Sequence, residues 1–401
     1  MRDVMVVQPG QGIRTVHAIT ALAALVGVLA GVTSVLHVGS TSVSGIVTAG
    51  SAAACTALAP MLIGSRSPVA VPGLLFLALA FGRALFAPDV DGLQNVAAYT
   101  ILLLLPAFVA LQATPDIADR VLRWFAASGL LATALFAVQQ TLGLLTDGIR
   151  SYALAALPML AAAAALRAGP WLLRIAPAVI VVGIVASLSR TASVVALLVL
   201  VVLVTRRPVG HRIRLAILAV VGAGATLAAV WTWVPSYRGR FTSGDNAMLG
   251  GVAINTSGRA KLWDVVADHA RSAPLVGHGP GSAARLVTET FVGIRQPHND
   301  WLRLLHDTGW IGVSLFALAA VTTLVRIARA AQRTDDAVHW AALAAFLALL
   351  VTAATDNTLI YPFAIGPTAV LIGLSLGSDA RRDPPTTIPL SAPTTRHTKG
   401  P

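Results

Sequence analysis

The feature that most restricts this chain is a succession of long apolar runs, recurring from Thr15 to Gly377 with little charge inside them. A helix needs roughly 20 apolar residues to cross a bilayer, with a range of about 17–25. Runs of this kind fall near 15–36, 42–63, 69–87, 96–112, 124–145, 152–167, 170–189, 191–207, 213–234, 304–326, 337–355 and 359–377. Between 170 and 204 the apolar character is interrupted only around Arg190. One span of that length is too long, so a reversal is expected there. The pattern predicts an all-α fold, a polytopic transmembrane helix bundle of about 12 spans. It forms a single integral membrane domain over 1–377, and 378–401, rich in Pro, Thr and Arg, is expected to be a disordered tail. The first run is long enough to span and lacks a convincing cleavage site, so it reads as a signal anchor.

Composition agrees. Apolar residues make up 56% of the chain and charged residues 11%, where a soluble domain carries roughly 25% charged. Most of the surface therefore faces something other than water. A net charge of +12 would suit nucleic-acid binding, but no long basic face or RNA-binding motif accompanies it, and no nucleic-acid partner is expected. The single cysteine, Cys55, lies in an apolar run, which leaves no intramolecular disulfide and no Cys-type metal cluster.

The basic residues instead report topology. With the N-terminus cytoplasmic, the short inside segments hold Arg66, Arg120, Arg123, Arg167, Arg174, Arg206, Arg207, Arg212 and Arg214, and the tail adds Arg381, Arg382, Arg396 and Lys399. The short outside loops hold only Arg150 and Arg190, and 87–95 carries Asp89 and Asp91 with no base. This is the positive-inside distribution. It predicts a multi-pass protein of the inner (plasma) membrane with both termini cytoplasmic.

One loop breaks the pattern. Pro235 to Pro297 is far longer than its neighbours and is expected to be extracytoplasmic and functional. Within it Gly258 to Ala270 is amphipathic, with Leu262, Trp263, Val266 and Ala267 on one face, and is expected to lie as a short helix near the membrane interface. A turn follows at Gly277-His278-Gly279-Pro280-Gly281-Ser282; its spacing is neither the dinucleotide nor the P-loop pattern. The loop ends in His298-Asn299-Asp300. Leu302, Leu305, Gly309 and Gly312 continue on one helical stripe with His298, and the glycines suit close approach of a neighbouring helix. Arg190, between two short apolar runs, is expected to dip below the outer surface, where a charge needs a partner or a ligand. Arg83, near the outer end of the third span, raises the same question.

Four ordered segments resemble the O-antigen ligase family, membrane glycosyltransferases that share a ligase/polymerase domain. They are Ser189-Arg190-Thr191, Ser257-Gly258-Arg259 with Trp263, Leu275-Val276-Gly277-His278-Gly279-Pro280-Gly281, and His298-Asn299-Asp300-Trp301-Leu302 through Gly309-Trp310-Ile311-Gly312. The close resemblance covers about 180–320. It implies transfer of a glycan from an undecaprenyl-pyrophosphate carrier to a hydroxyl on a glycan, lipid or protein acceptor, with neither metal nor cofactor. Arg190 and Arg259 are then expected to bind the pyrophosphate, since Arg grips phosphate oxygens in a bidentate fork. His298 is expected to act as the general base, with Asn299 and Arg83 as supporting residues. No acidic cluster suited to Mg²⁺ stands out on the expected outer face. A polysaccharide polymerase with the same donor is the nearest rival, and the motifs do not separate the two. A twelve-span secondary transporter and a structural membrane protein with a degenerate site are the others. A transporter is expected to show an internal repeat and charged pairs at mid-membrane depth, and neither is evident.

Overall fold

The computed structural model describes residues 37–38, 41–62, 71–86, 89–143, 149–166, 169–206, 232, 246–249, 252–255 and 259–382. Helices dominate. In chain order they are α1 (Val43–Leu58), α2 (Val71–Phe86), α3 (Val90–Gln112), α4 (Pro115–Thr141), α5 (Ile149–Ala165), α6 (Trp171–Ala186), α7 (Arg190–Val204), α8 (Arg259–Ala270), α9 (Ser282–Thr290), α10 (Asp300–Thr334), α11 (Ala337–Thr352) and α12 (Pro362–Arg382). Two short 3-10 helices, Ala59–Leu62 and Thr358–Ile360, and two small antiparallel hairpins are also described. β1 (His37–Val38) pairs with β2 (Thr41–Ser42), and β3 (Asn246–Leu249) pairs with β4 (Val252–Asn255).

Each expected span that falls within the described residues coincides with a helix; that at 15–36 lies outside them, and so does that at 213–234 except for Thr232. Among the described residues four helices are long and apolar enough to cross a membrane: α3, α4, α10 and α12, the last over Pro362–Ala380. Shorter apolar helices stand at α2, α6, α7, α11 and Ser151–Ala165 of α5. The protein is accordingly an integral membrane protein.

The reversal expected at Arg190 is present. α6 ends at Ala186, Leu188 turns back with φ 56°, and Ser189 caps α7 by accepting the N–H of Ala192 at 3.4 Å. That bond satisfies one of the orphan donors of a helix start. α12 continues past Gly377 to Arg382, where Asp379 pairs with Arg333 of α10 at 2.6 Å; residues 383–401 lie outside the described residues.

The core is small-residue-rich, as close helix packing without a strong hydrophobic drive requires. α5 is the centre of it, with Ala153, Ala156, Met159, Leu160, Ala161 and Ala162 fully buried. A second knot joins α2, α3 and α10, where Phe76 meets Tyr99 and Phe316 edge-on at 5.3 and 5.4 Å between ring centres. Such pairs add about 0.5–1.5 kcal/mol beyond area burial.

Two helices that start near one another also end near one another. At one end of the bundle Thr191 of α7 meets Thr355, just past α11, at 2.8 Å. At the other, Arg206 donates to Asp335, which closes α10, and to the carbonyl of Ala165. Asp300, the first residue of α10, donates its N–H to the carbonyl of Ala353 at 2.7 Å, so Arg190 and the start of α10 share an end, opposite Arg206.

Candidate functional site

α10 carries the first half of the site, and it is not one continuous helix. Gly309 has φ 65° and ψ −172°, a conformation open essentially only to glycine. A break there orphans the carbonyls before it and the N–H groups after it. The segment Pro274–Gly279 satisfies both sets. His278 and Gly279 donate to the carbonyls of His306 and Asp307 at 2.9 Å each, and Trp310 and Ile311 donate to those of Pro274 and Leu275 at 2.8 and 3.1 Å. The stripe of Leu302, Leu305, Gly309 and Gly312 expected to face a neighbouring helix is thus interrupted. A side-chain carbon on Gly309 or Gly277 would run into backbone of the other strand. The glycine turn serves this docking. It is anchored further by Asp307, whose carboxylate accepts the N–H groups of Gly281 and Ala283 at 2.9 Å and so caps α9. Arg83 reaches the same turn, donating to the carbonyl of Gly277 at 2.8 Å.

α8 packs on this platform. Its apolar face, expected to lie along the membrane interface, is covered by protein. Leu262 and Val266 are buried with Ala283 and Val287 of α9, and Trp263 and Leu302 pack against them. Trp263 also donates its indole N–H to the carbonyl of Pro297 at 2.9 Å, which ties α8 to the residue before His298.

His298 precedes α10 with φ 52°. Asn299 is the N-cap of the helix, its Oδ1 accepting from the N–H of Leu302 at 3.0 Å, so its side chain is committed to the helix start. The imidazole of His298 is about a quarter exposed (26%). Its Nδ1 stands 3.0 Å from Asn357 Nδ2 and 3.7 Å from Asp356 Oδ1. Both partners lie between α11 and α12, in a loop that sequence reasoning passed over. Arg259, at the start of α8, donates to the carbonyl of Thr355 in that same loop. Thr191, next to Arg190, bonds the hydroxyl of Thr355. The start of α7, Arg259 and His298, far apart in sequence, therefore converge on three consecutive residues, Thr355-Asp356-Asn357.

Beneath the loop is a buried polar network. Arg303, fully buried, donates to Asp300 Oδ1 at 2.5 Å, to Asn357 Oδ1 at 2.6 Å and to Gln296 Oε1 at 2.8 Å. The bond to Oδ1 fixes the amide of Asn357 and turns its Nδ2 toward His298 and the hydroxyl of Tyr361. Asp300 accepts the N–H of Leu359 at 2.7 Å. Burial acts to raise the Asp356 carboxyl, but the neighbouring His298, the hydrogen bond from the N–H of Asn357 and the charge of Arg259 hold it below the ordinary carboxylate value.

Two signals pointed to these missed residues. Asp356 is an acid in a short gap between two apolar runs, and Asp300 with Arg303 is an i,i+3 charge pair at the head of an expected span.

A partly exposed imidazole with a carboxylate 3.7 Å from its Nδ1 stands here at one end of a bundle of apolar helices, an arrangement that can take up a proton. The comparison with known families agrees. Residues 175–317 match the family model for O-antigen ligase, and over that segment the chain is similar to this family of ligase/polymerase-type membrane glycosyltransferases. The matched segment includes Arg190, Arg259 and His298 and stops before the Thr355–Asn357 loop. No curated protein matches the chain.

Proposed function

We propose that this protein transfers a glycan from an undecaprenyl-pyrophosphate carrier to an acceptor hydroxyl at the outer face of the inner membrane, with inversion at the anomeric carbon. The observation that carries the reading is the convergence of His298, Arg259 and the start of α7 on the Thr355–Asn357 loop. In this reading the end of the bundle holding Arg190 and His298 is extracytoplasmic, as the arginine distribution predicts, and both termini are cytoplasmic.

The chemistry follows from the residues. The acceptor oxygen attacks the anomeric carbon, the bond from that carbon to the pyrophosphate oxygen breaks, and the carrier leaves as its pyrophosphate. The acceptor proton passes to His298. Nδ1 faces the protein, so Nε2 is the nitrogen that meets substrate. Nε2 is basic only when the ring proton sits on Nδ1. The anionic Asp356 favours that tautomer and stabilises the imidazolium once it forms, while the Asn357 amide favours the other; the carboxylate is therefore the residue that makes His298 a base. Arg190 and Arg259 hold the pyrophosphate and stabilise the charge that grows on it. Asn299 caps α10 and Arg83 supports the glycine turn; both act through structure. A positioned base contributes about 10²–10⁴-fold, and charge stabilisation by preorganised donors contributes the remainder.

The acceptor decides between ligase and polymerase, because donor chemistry is common to both. The test uses the full-length protein in lipid nanodiscs with an undecaprenyl-pyrophosphate oligosaccharide. Mass analysis of the product reports which it is: lengthened glycan still on the carrier indicates a polymerase, and glycan on a different acceptor indicates a ligase. His298→Ala should lower transfer per folded molecule by at least about 10²-fold. Activity of that variant within about threefold of wild type, or no consumption of the donor by the wild type with any hydroxyl acceptor, would remove the proposal.

A further inference from the structure

Three histidines outside this site come together where α8, the glycine turn and α10 meet. His269 closes α8, His278 sits in the turn, and His306 lies one turn before the break at Gly309. Each offers a ring nitrogen, and these three atoms lie within 4.8 Å of one another. His269 Nδ1 is 2.9 Å from His306 Nε2. The ring centres are separated by 4.3, 5.1 and 4.8 Å. We propose that His269, His278 and His306 form a binding site for a divalent transition-metal ion of the zinc class.

The surroundings are those of a built site. A metal-bound imidazole donates its other ring N–H to a carboxylate or a carbonyl, which fixes the tautomer and raises the basicity of the ligand. His306 Nδ1 stands 3.2 Å from Asp307 Oδ1 and 3.1 Å from Ser282 Oγ, which leaves the lone pair of the neutral ring on Nε2, the atom that faces His269. His278 Nε2 stands 3.1 Å from the carbonyl of His269, an acceptor, which leaves the lone pair of that ring on Nδ1. Asp307 is itself held by the N–H groups of Gly281 and Ala283, so the ring it orients cannot drift. His306 is fully buried, His278 partly so and His269 exposed. Three imidazoles with one side open to solvent leave a coordination position for water. Nitrogen ligands without an oxygen donor select zinc, cobalt, nickel or copper over magnesium and calcium.

The spacing in sequence hides the site, because its ligands come from three separate elements. Its place in the fold gives it a job. α8 has 12 residues, so its two ends are about 16 Å apart at the usual helical rise of about 1.5 Å. His269 is at one end and Arg259 at the other. A metal at the histidines clasps the far end of α8 to the rigid head of α10 and steadies the helix that presents Arg259.

The test reads metal directly and does not depend on glycan transfer. The full chain in detergent is stripped with a chelator, then titrated with Zn²⁺ by calorimetry, with Co²⁺ as an optical probe of nitrogen coordination. The double variant His269→Gln/His278→Gln removes the two more accessible ligands and leaves the buried ring and its partners in place. Wild type should take up one Zn²⁺ per chain. The double variant should bind at least about 100-fold more weakly, more than loss of a single outer partner costs. A Co²⁺ spectrum with visible ligand-field bands lost in the variant would support the assignment. No Zn²⁺ uptake by wild type, uptake unchanged in the variant, or displacement of Zn²⁺ by an equal concentration of Mg²⁺ would each overturn it. The first of these would make the cluster a hydrogen-bonded imidazole triad.

Discussion

Replacing Asp356 by Asn separates a proton-transfer site from a well-packed loop. The two side chains are nearly equal in volume, so packing is retained. What changes is charge and the identity of the groups around His298. The carboxylate accepts the N–H of Asn357 at 2.9 Å and stands 3.7 Å from His298 Nδ1. It is anionic at neutral pH, because its hydrogen bonds and the Arg259 charge outweigh the burial that would raise it. An amide in its place removes the charge that favours a proton on Nδ1, and Asn357 Nδ2 at 3.0 Å then holds the proton on Nε2. That tautomer cannot take a proton from an acceptor. In the comparable His–Asp pair of serine proteases the same exchange lowers kcat about 10⁴-fold. Because Asp356 lies beyond direct hydrogen-bond distance here, the expected loss is about 10²–10⁴-fold, or about 2.7–5.4 kcal/mol at about 1.36 kcal/mol per decade. The assay is the initial transfer rate at saturating lipid-linked donor, normalised to monodisperse protein. KM for donor should move less than about threefold, since a tautomer change leaves the pyrophosphate contacts intact. A carboxylate whose pKa is depressed on folding contributes stability that is present above 3.8 and lost as pH falls through the lower folded value. The difference in melting temperature between wild type and variant should therefore be flat from about pH 5 to 8 and narrow only below that range. A kcat within about threefold of wild type, or a loss that only tracks the folded fraction, would refute the reasoning.

Arg190→Lys and Arg259→Lys should each lower kcat/KM for the donor by about 10–100-fold, because a point charge cannot reproduce a planar fork worth about 1.5–3 kcal/mol; full activity of both variants in the nanodisc assay would remove the bidentate role. Gly309→Ala should destabilise the protein by about 1–3 kcal/mol or more from the backbone alone, seen as a lower melting temperature in detergent, while Gly82→Ala, with no atom within 4 Å of the added carbon, should be neutral or slightly stabilising. Cysteines introduced at Gly250 and Gly293 in a Cys55→Ala background should react with a membrane-impermeant maleimide from outside intact cells; labelling only after lysis would reverse the orientation.

The legible parts of this protein are those written in single segments. Apolar length announced the helices, and the polar interruption at Arg190 announced the reversal, because a long uncapped apolar run has no other way to stay within a bilayer. The family-like motifs announced Arg190, Arg259 and His298 as residues of interest. Two things were not legible, for the same physical reason. The break at Gly309 depends on a partner strand well upstream in the sequence (Pro274 to Gly279) that satisfies the orphaned groups; without that strand a glycine in a helical stripe reads as a packing contact. The Thr355–Asn357 loop, too, looks like an ordinary short connection until α11 and α12 carry it over His298. Helical periodicity reports which residues share a face, and is silent on which loop is folded against them.

Arg303 shows what the site requires of the bundle. Taking an arginine and an aspartate out of water costs several kcal/mol per ion, and their mutual attraction rarely exceeds that cost. A bundle under pressure only to stay folded would do as well with two apolar side chains at 300 and 303. The geometry around the pair points to what it does instead. Arg303 holds Oδ1 of Asn357, and Asp300 holds the N–H of Leu359 while its own N–H bonds the carbonyl of Ala353. Both ends of the loop are thereby pinned to the first turn of α10, the turn that begins two residues after His298. The imidazole and the loop that orients it are referenced to the same rigid element. Motion of α11 or α12 relative to α10 must therefore break charged, buried hydrogen bonds before it can separate His298 from Asp356.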